Sequence, residues 1–382
     1  MSLPTDLLAR LVGFPSVVGG PNGDIVGFVA DYLRGHGIEP ALVPGPEGDR
    51  WNLFASIGDA SRPGYVLSGH LDVVPAGESD WQADPFVLRR DGDRLIGRGA
   101  CDMKGFVACA LAAAPDLAAA PLKRPVHFAF SYDEEVGCQG APSMIESIAA
   151  GHPKPSAVLV GEPTGMKVVT GHKGLYSVRV EITGHEAHSS LVNAGACAVT
   201  NAVILMDFLR REGEALRAAA PDDSPFDPPF GTLTIGRMGG GSAMNILAKD
   251  AWFEALMRPA PWDDGPGVGR RLRELAAQVE ADMRRTAPDA SIRITEVSNV
   301  PPLRPETNGE AEGIARALTG DNAPRVVSYG TEGGQFQDGG MSAVICGPGH
   351  IDQAHQPDEF VEVSQLEACM VFLKKLEQRL SA

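Results

Sequence analysis

Residues 65–75 read YVLSGHLDVVP, and this stretch decides the fold that we predict for the chain. The largely apolar residues 65–68 predict a short buried strand. The polar side chains His70 and Asp72 follow where that strand ends, and residues two apart share a face in extended geometry. The stretch therefore predicts a polar site at the end of a buried strand.

Other polar residues repeat this arrangement along the chain. Each follows a short apolar run and lies beside glycine or proline, which is typical of a strand end. They are Asp102 in GRGACDMKG, Glu134 and Glu135 in SYDEE, Glu162 in GEPT, and His355 in QAHQPDEF. Two imidazoles and several carboxylates suit zinc or a similar divalent ion, and a carboxylate left beside the ligands can act as a general base.

Taken one at a time, these residues also have simpler interpretations. His70 and Asp72 can be surface polar residues, and Glu134 with Glu135 can be a solvated acidic turn. Asp102 is placed to cap a helix that starts near residue 104, and Glu162 can be a plain loop carboxylate. The metal-site interpretation therefore depends on the whole set.

Length and composition narrow the class of protein. A chain of 382 residues favours two domains. The net charge of -16, with 49 acidic and 33 basic residues and no basic block, argues against nucleic acid and anionic membranes as partners. With no apolar run of about 20 residues and no secretory pattern at the start, we expect a cytoplasmic protein. Six cysteines without CxxC spacing suggest neither disulfides nor a thiolate zinc site.

Alternating strands and helices predict an α/β domain with a largely parallel sheet. The predicted strands are 52–57, 65–68, 126–131, 157–160 and 342–346, the predicted helices are 22–36, 104–114 and 141–150, and a hairpin turns at Asp91-Gly92 between 86–90 and 94–96. Between the fourth and fifth strands, a second pattern interrupts this domain.

The second pattern has the β-α-β-β-α-β order of a ferredoxin-like sandwich. It consists of strands 175–183, 233–235, 251–257 and 291–297 and helices 196–219 and 268–285. The proline-rich residues 300–305 then return the chain to the first domain. We therefore predict a discontinuous catalytic domain at 1–173 and 299–382, interrupted by an inserted domain at 174–298.

The ordered motifs, from about residue 7 to residue 375, resemble those of one family. SGHLDVVP, GRGACDMKG, SYDEEVG, GEPT, GHEAHSS and GPGHIDQAHQPDEF look like the motifs of the dizinc aminoacylases, which include acetylornithine deacetylases, succinyl-diaminopimelate desuccinylases and related glutamate carboxypeptidases. The resemblance implies a dizinc-peptidase-like catalytic domain, with a mostly parallel central sheet flanked by helices. It also implies an inserted ferredoxin-like dimerisation or lid domain, and hydrolysis of the amide bond of an N-acyl amino acid.

The resemblance also implies roles for the polar residues. Two Zn2+ per subunit are expected, with Co2+ as a substitute. One ion would be held by His70, Asp102 and Glu162, and the other by Asp102, Glu135 and His355, so that Asp102 bridges. Glu134 would be the general base, Asp72 would orient His70, and a cis peptide bond is expected after Asp102.

Three residues of the inserted domain have implied roles too. His188 in GHEAHSS is expected to donate a hydrogen bond to the oxyanion in the site of a partner subunit, within a homodimer formed through the inserted domain. Asn245 in AMNILA and Arg258 in ALMRP match positions that hold the substrate carboxylate. By themselves, His188 can be an ordinary strand-end histidine and Arg258 part of a structural ion pair.

The glycine-rich loop that starts at Gly330, Thr331 and Glu332 is expected to bind the substrate. The corresponding loop of desuccinylases resembles the sequence Gly-Thr-Ser-Asp-Gly-Arg-Phe. This chain has Glu332 in the loop, and Gln335 stands where that sequence has its arginine. The carboxylate of a succinyl group is best bound by a cationic side chain. Because this loop lacks one, it favours a small acyl group and a cationic amino acid. The motifs look closest to acetylornithine deacetylases, which implies conversion of N2-acetyl-L-ornithine to L-ornithine and acetate in arginine biosynthesis. The alternatives are a succinyl-diaminopimelate desuccinylase, a general N-acyl-amino-acid hydrolase, a dipeptidase, or a non-catalytic binding protein of the same fold.

Overall fold

The computed structural model describes residues 3–77 and 80–382, and the chain forms two compact units. The first unit consists of Met1–Gly171, Leu303–Val326 and Thr331–Ala382, and the second of His172–Pro302 and Val327–Gly330. The sequence placed the two boundaries at 173/174 and 298/299, within a few residues of those in the structure. It placed residues 327–330 in the first domain, whereas the structure groups them with the second unit.

Helices and strands alternate along most of the chain. The helices are α1 Leu3–Val12, α2 Gly23–Gly35, α3 Gly105–Ala119, α4 Ala141–Gly151, α5 Ala198–Ala218, α6 Gly265–Met283, α7 Glu310–Thr319, α8 Gly333–Asp338 and α9 Val363–Ser381. The strands are β1 Pro40–Pro44, β2 Trp51–Ile57, β3 Tyr65–His70, β4 Arg89–Asp91, β5 Arg94–Ile96, β6 Val126–Ser131, β7 Ala157–Pro163, β8 Gly171–His172, β9 Leu175–Thr183, β10 Thr232–Gly240, β11 Asp250–Arg258, β12 Ser291–Val300, β13 Val326–Val327, β14 Ala343–Gly347 and β15 Phe360–Glu362. None of the described helices is both long and apolar enough to cross a membrane.

A six-stranded sheet forms the centre of the first unit, in the order β1-β2-β6-β3-β7-β14. The neighbours β6, β3, β7 and β14 are parallel, and β1 and β2 form an antiparallel edge. Every residue of β3, β6, β7 and β14 is buried, which explains why these strands are mostly continuous apolar runs. The predicted fold class, α/β with a mostly parallel sheet, is confirmed.

Two predicted element boundaries in this unit were wrong. Asp91 pairs with Arg94 in the β4–β5 hairpin, so the turn residues are Gly92 and Asp93 rather than Asp91 and Gly92. Gly92 has φ +58°, a conformation that glycine adopts at little cost. Helix α3 continues through Pro115 to Ala119 instead of ending at residue 114. Its first ten residues are all buried, and we infer that this packing outweighs the lost hydrogen bond at the proline.

The second unit has an antiparallel sheet in the order β10-β11-β9-β12. Buried and partly buried residues alternate along β9, as expected for a sheet with one covered face. Apolar side chains of α5 and α6 form the core of this unit together with those of the sheet. The succession β9-α5-β10-β11-α6-β12 is the predicted ferredoxin-like order.

Candidate metal centre

The four parallel strands of the first unit bring the predicted ligands other than Asp102, which follows β5, to one edge of the sheet. His70 is the last residue of β3, Glu134 and Glu135 follow β6, Glu162 lies near the end of β7, and His355 follows β14. Because neighbouring parallel strands all end on the same side, side chains at their carboxyl ends converge. The repeated strand-end motifs of the sequence therefore form one site.

The first group of ligands is buried at the ends of β3 and β7. His70 Nε2 lies 3.0 Å from Asp102 Oδ1 and 3.7 Å from Glu162 Oε1. The other ring nitrogen, Nδ1, lies 2.9 Å from the main-chain oxygen of Asp72. A carbonyl only accepts, so Nδ1 carries a hydrogen and donates it, which leaves Nε2 for a ligand role.

The second group shares Asp102 with the first. His355 Nε2 lies 3.2 Å from Asp102 Oδ2 and 2.9 Å from Glu135 Oε2. The two carboxylate oxygens of Asp102 thus face different imidazoles. The expected cis peptide bond, between Asp102 and Met103, is confirmed. Asp102 lies outside α3, which begins at Gly105 with Lys104 at its N-cap, so Asp102 does not cap that helix.

The two groups fit divalent cations. In each, the candidate donor atoms lie within 4.8 Å of one another. Each group offers one imidazole nitrogen and two carboxylates, a donor set that suits zinc and similar ions. The sets are those predicted from the sequence: His70, Asp102 and Glu162, then Asp102, Glu135 and His355.

Without a cation, these groups compete for protons. Hydrogen bonds to Asp102 and Glu135 raise the pKa of His355 to about 10. Burial lowers the pKa of His70, but a hydrogen bond with Asp102 and nearby carboxylates outweigh it, so the pKa lies well above the usual value. Burial also opposes ionisation of Asp102, yet hydrogen bonds from both imidazoles lower its pKa. A divalent cation must displace the imidazole protons, so binding is expected to release protons.

Asp72 acts on its neighbours differently from the prediction. Its carboxylate lies 3.6 Å from His70 Nδ1, whereas its main-chain oxygen makes the close hydrogen bond at 2.9 Å. The carboxylate instead accepts the main-chain N–H groups of Glu134, at 3.2 Å, and Glu135, at 3.1 Å. Asp72 therefore orients His70 through its backbone and fixes the Glu134–Glu135 turn through its side chain.

Glu134 lies beside both ligand groups without belonging to either. It is partly buried, and burial raises the pKa of its carboxyl to about 8. The thiol of Cys138 donates to Glu134 Oε1 at 3.1 Å. Bound divalent cations would favour the carboxylate and offset the effect of burial. A carboxylate that lies beside the ligand groups without being a ligand suits proton transfer.

Asp133 and Cys138 support this turn and were not found in the sequence. Both have positive φ, 51° and 52°, which is uncommon for residues other than glycine. The buried Asp133 carboxylate accepts the main-chain N–H of Gly19 at 2.8 Å and pairs with Arg50. The run Asp-Glu-Glu could have indicated that its first acid, Asp133, holds the turn in place. The partners of Asp133, however, are far away in the sequence.

The structure places Thr331 and Glu332 inside the first unit. Glu332 is 1% exposed, and its carboxylate accepts hydrogen bonds from Ser68 Oγ, at 2.9 Å, and Ser131 Oγ. Burial raises the pKa of Glu332 to about 7. The buried Thr331 hydroxyl accepts the N–H of Gly333 at 3.0 Å. The structure gives both residues internal partners, and their predicted contact with substrate stays a prediction.

His188 and Asn245 come together at one end of the second unit's sheet. The N–H of Ser189 donates to the main-chain oxygen of Asn245 at 2.9 Å, and both predicted residues are exposed. The N–H of Ser190 donates to His188 Nδ1 at 3.2 Å. Because Nδ1 accepts in this contact, the ring hydrogen of neutral His188 lies on Nε2. His188 can therefore donate a hydrogen bond to a ligand.

Arg258 lies at the opposite end of the same sheet. It is the last residue of β11, whereas the Asn245 segment continues the β9–β11 pairing beyond Asp250 at the other end. Eight residue steps along β11 correspond to about 26 Å. A Cβ added to Gly330 would lie 3.7 Å from Arg258 Nη1, so these two predicted residues are close together. Asn245 and Arg258 of one copy do not converge on a single small ligand.

Comparison with known proteins agrees with this geometry. A family model described as peptidase family M20/M25/M40 matches residues 66–379. The chain belongs to this family. It is 36% identical, over 86% of this chain and 83% of the relative, to an acetylornithine deacetylase of Myxococcus xanthus. It is 31% identical, over 96% of this chain and 95% of the relative, to an acetylornithine deacetylase of Yersinia pseudotuberculosis.

The fold of this M20 family member is also that of solved structures. An M20 family metallo-carboxypeptidase from Sulfolobus solfataricus superposes with a TM-score of 0.79 at 18% identity, covering 100% of both chains. Family membership and the two ligand groups identify the chain as a metal-dependent hydrolase that acts on amides. The predicted resemblance is confirmed.

Proposed function

We propose that this hydrolase removes the acetyl group from N2-acetyl-L-ornithine, giving L-ornithine and acetate in arginine biosynthesis. The observation that carries the chemistry is the pair of ligand groups sharing Asp102, with Glu134 beside both. Two relatives named acetylornithine deacetylase, at 36% and 31% identity, support the substrate. The carboxylate of Glu332 is buried and accepts hydrogen bonds from Ser68 and Ser131, so the two relatives support the substrate more directly than Glu332 does.

The ligand groups would hold two zinc ions, for which cobalt would substitute. His70, Asp102 and Glu162 would hold one, and Asp102, Glu135 and His355 the other. Bound divalent ions would supply a Lewis acid for the amide carbonyl and make water a better nucleophile. The fixed Nδ1–H hydrogen bond of His70 would keep its Nε2 available for this role.

Glu134 would serve as the proton carrier of the reaction. Its carboxylate would take a proton from the attacking water, hold it, and deliver it to the amine nitrogen that leaves. Asp72 fixes the backbone of Glu134, and the Cys138 thiol orients one carboxylate oxygen. The second oxygen would be left to accept the proton.

We further propose that two copies of the chain form a homodimer through the second unit. In this dimer, His188 and Asn245 of one copy would complete the site of the other, and Arg258 would bind the substrate carboxylate. The separation of about 26 Å along β11 supports the proposal, because one copy does not bring both ends to one substrate. Exposed apolar side chains flank His188 and Asn245, namely Leu191, Val192, Met244 and Ile246, and burial in an interface would stabilise them.

A cytoplasmic location is also part of the proposal. The structure shows six free cysteines, and such thiols persist in reducing compartments. The small-molecule substrate requires neither a nucleic acid nor a membrane partner.

The substrate proposal is tested by measuring kcat/KM for zinc-loaded and cobalt-loaded protein on four compounds. They are N2-acetyl-L-ornithine, N-succinyl-diaminopimelate, N-acetylmethionine and a dipeptide. We expect the highest kcat/KM on acetylornithine, with Glu134→Gln as the inactive control. Preference for the succinylated compound would show a desuccinylase, and preference for acetylmethionine or the dipeptide would show one of the other hydrolases. Metal binding without turnover of any compound would indicate a binding protein.

A further inference from the structure

A buried ion pair lies behind the metal centre of the first unit. Glu359 and Arg98 are 1% and 0% exposed, and Arg98 Nη1 lies 3.0 Å from Glu359 Oε2. A buried ion pair seldom adds net stability, because removing both charges from water costs about as much as their attraction returns. The other hydrogen bonds of the two side chains therefore indicate what the pair does in the protein.

Glu359 accepts hydrogen bonds from the backbone that carries Asp102. Its Oε1 accepts the N–H groups of Cys101, at 2.9 Å, and of Asp102 itself, at 3.1 Å. Its Oε2 accepts the N–H of Gly99 at 2.9 Å. The carboxylate thus holds the main chain of the residue that faces both ligand groups. An amide side chain cannot replace it, because its NH2 group would face other donors.

Arg98 connects two further ligand-bearing segments to the same point. Its Nη2 donates to the main-chain oxygen of Pro75, at 3.2 Å, in the segment that follows His70 and Asp72. Its Nη1 donates to the main-chain oxygen of Gln356, at 3.4 Å, next to His355. The planar guanidinium can reach these separate acceptors while remaining paired with Glu359.

Gly99 shows how closely these segments pack. It has φ +77°, and a Cβ added there would lie 2.4 Å from Val73 Cγ1. The residues before Asp102 are therefore packed closely against the residues after Asp72. Glu359 binds the N–H of this glycine, so the pair acts where the two ligand segments meet.

We infer that Glu359 and Arg98 are positioning residues that set Asp102 and His355 for metal binding. The inference rests on the proposed metal centre and deepens it. The pair belongs to neither ligand group, so its effect is expected in metal affinity before it is expected in turnover. Residues that orient metal ligands typically change affinity by roughly 10- to 100-fold when they are replaced.

The test compares Glu359→Gln and Arg98→Lys with a matched control, Asp321→Asn. Asp321 is also a carboxylate of the first unit that accepts a backbone N–H, from Val168 at 3.0 Å, and pairs with an arginine, Arg325. It does not belong to either ligand group. Each metal-free protein is titrated with Co2+ against a competing chelator, and the visible absorption of bound cobalt is recorded. The melting temperature of each metal-free protein reports its folding.

We expect Glu359→Gln to weaken cobalt binding by roughly 10- to 100-fold and to alter the cobalt spectrum. Arg98→Lys should act in the same direction, and Asp321→Asn should bind cobalt as the wild type does. Wild-type affinity and spectrum in either folded pair variant would overturn the inference, as would failure of both to fold, since that would show a general structural role. Wild-type protein that bound no cobalt would instead refute the proposed metal centre.

Discussion

Two inactive variants should restore activity to each other if His188 acts across a dimer. Glu134→Gln removes the proposed proton carrier of the first unit, and His188→Ala removes the proposed oxyanion donor of the second. Each variant by itself should lose roughly 10²-fold or more in kcat. In a hybrid dimer, the copy carrying Glu134→Gln supplies an intact His188 to the copy whose metal centre is intact.

The dimensions of the second unit give the physical reason. His188 and Arg258 lie at opposite ends of a sheet whose strand β11 spans about 26 Å. A substrate no longer than three extended residues reaches at most about 11 Å. If Arg258 binds the substrate as proposed, that substrate does not reach His188 of the same copy, and a second copy would have to provide it.

The assay co-expresses the two variants with different affinity tags and purifies the hybrid through both tags. One of the two sites in a C2 dimer is then complete, so the hybrid should have about half of the wild-type kcat with an unchanged KM. The matched control is a hybrid of wild type with the double variant Glu134→Gln/His188→Ala. Both of its sites lack one component, so it should be inactive.

The reverse pattern would refute this reasoning. If His188 served its own copy, the hybrid of single variants would be inactive, and the hybrid of wild type with the double variant would keep about half of the activity. A monomer on size-exclusion chromatography with full activity would refute it as well.

Four further predictions follow from the site and the core. Glu134→Gln should retain two metal ions and lose roughly 10²- to 10⁴-fold in kcat, and normal turnover would exclude it as the proton carrier. Chelation should abolish activity and two equivalents of zinc should restore it, whereas full recovery with one would contradict a two-ion site. Arg258→Lys should raise KM more than it lowers kcat, because lysine keeps the charge without the planar fork, and an unchanged KM would indicate a structural ion pair. Burial lowers the pKa of His127 from 6.5 to about 4, so between these values the unfolded chain binds more protons and stability falls as pH falls. In metal-free protein, His127→Gln should reduce this loss of unfolding free energy by up to about 3 kcal/mol. Urea denaturation at pH 7 and pH 4 measures the loss in both proteins. A loss as large in the variant as in the wild type would contradict the lowered pKa of His127.

The sheet and the polar residues at its strand ends could be predicted because their signals are local, whereas the division into two ligand groups was implied by the family resemblance. Strands buried on both faces are continuous apolar runs, and parallel strands carry their ends to one edge, so polar residues after such runs converge. Helix α9 was not predicted, although apolar residues at Leu366, Cys369, Leu373, Leu376 and Leu380 have helical spacing. That signal was present in the sequence and was overlooked.

The supporting contacts could not be predicted because they join residues far apart in the chain. In the sequence, Glu332 looks like an ordinary loop carboxylate. In the structure it accepts a hydrogen bond from Ser68, which lies 264 residues earlier in the chain. Asp72 was expected to share a face with His70, yet β3 ends at His70 and the carboxylate turns to the N–H groups of Glu134 and Glu135. Extended geometry stops applying where the site begins.

The balance of buried charge explains why this site requires cations. Among the described residues of the first unit, six carboxylates are buried: Asp72, Asp102, Asp133, Glu162, Glu332 and Glu359. The buried side chains of Arg98 and Lys104 are the basic counterparts, and Lys104 donates to the main-chain oxygen of Phe14 rather than to a carboxylate.

Buried anions are stable only when they are paired, hydrogen-bonded or protonated. Hydrogen bonds satisfy Asp72, Asp133, Glu332 and Glu359, whereas Asp102 and Glu162 face imidazoles that already carry raised pKa values. Divalent ions would replace those protons with larger positive charge, so the same carboxylates that select the metal also make its loss costly to the fold.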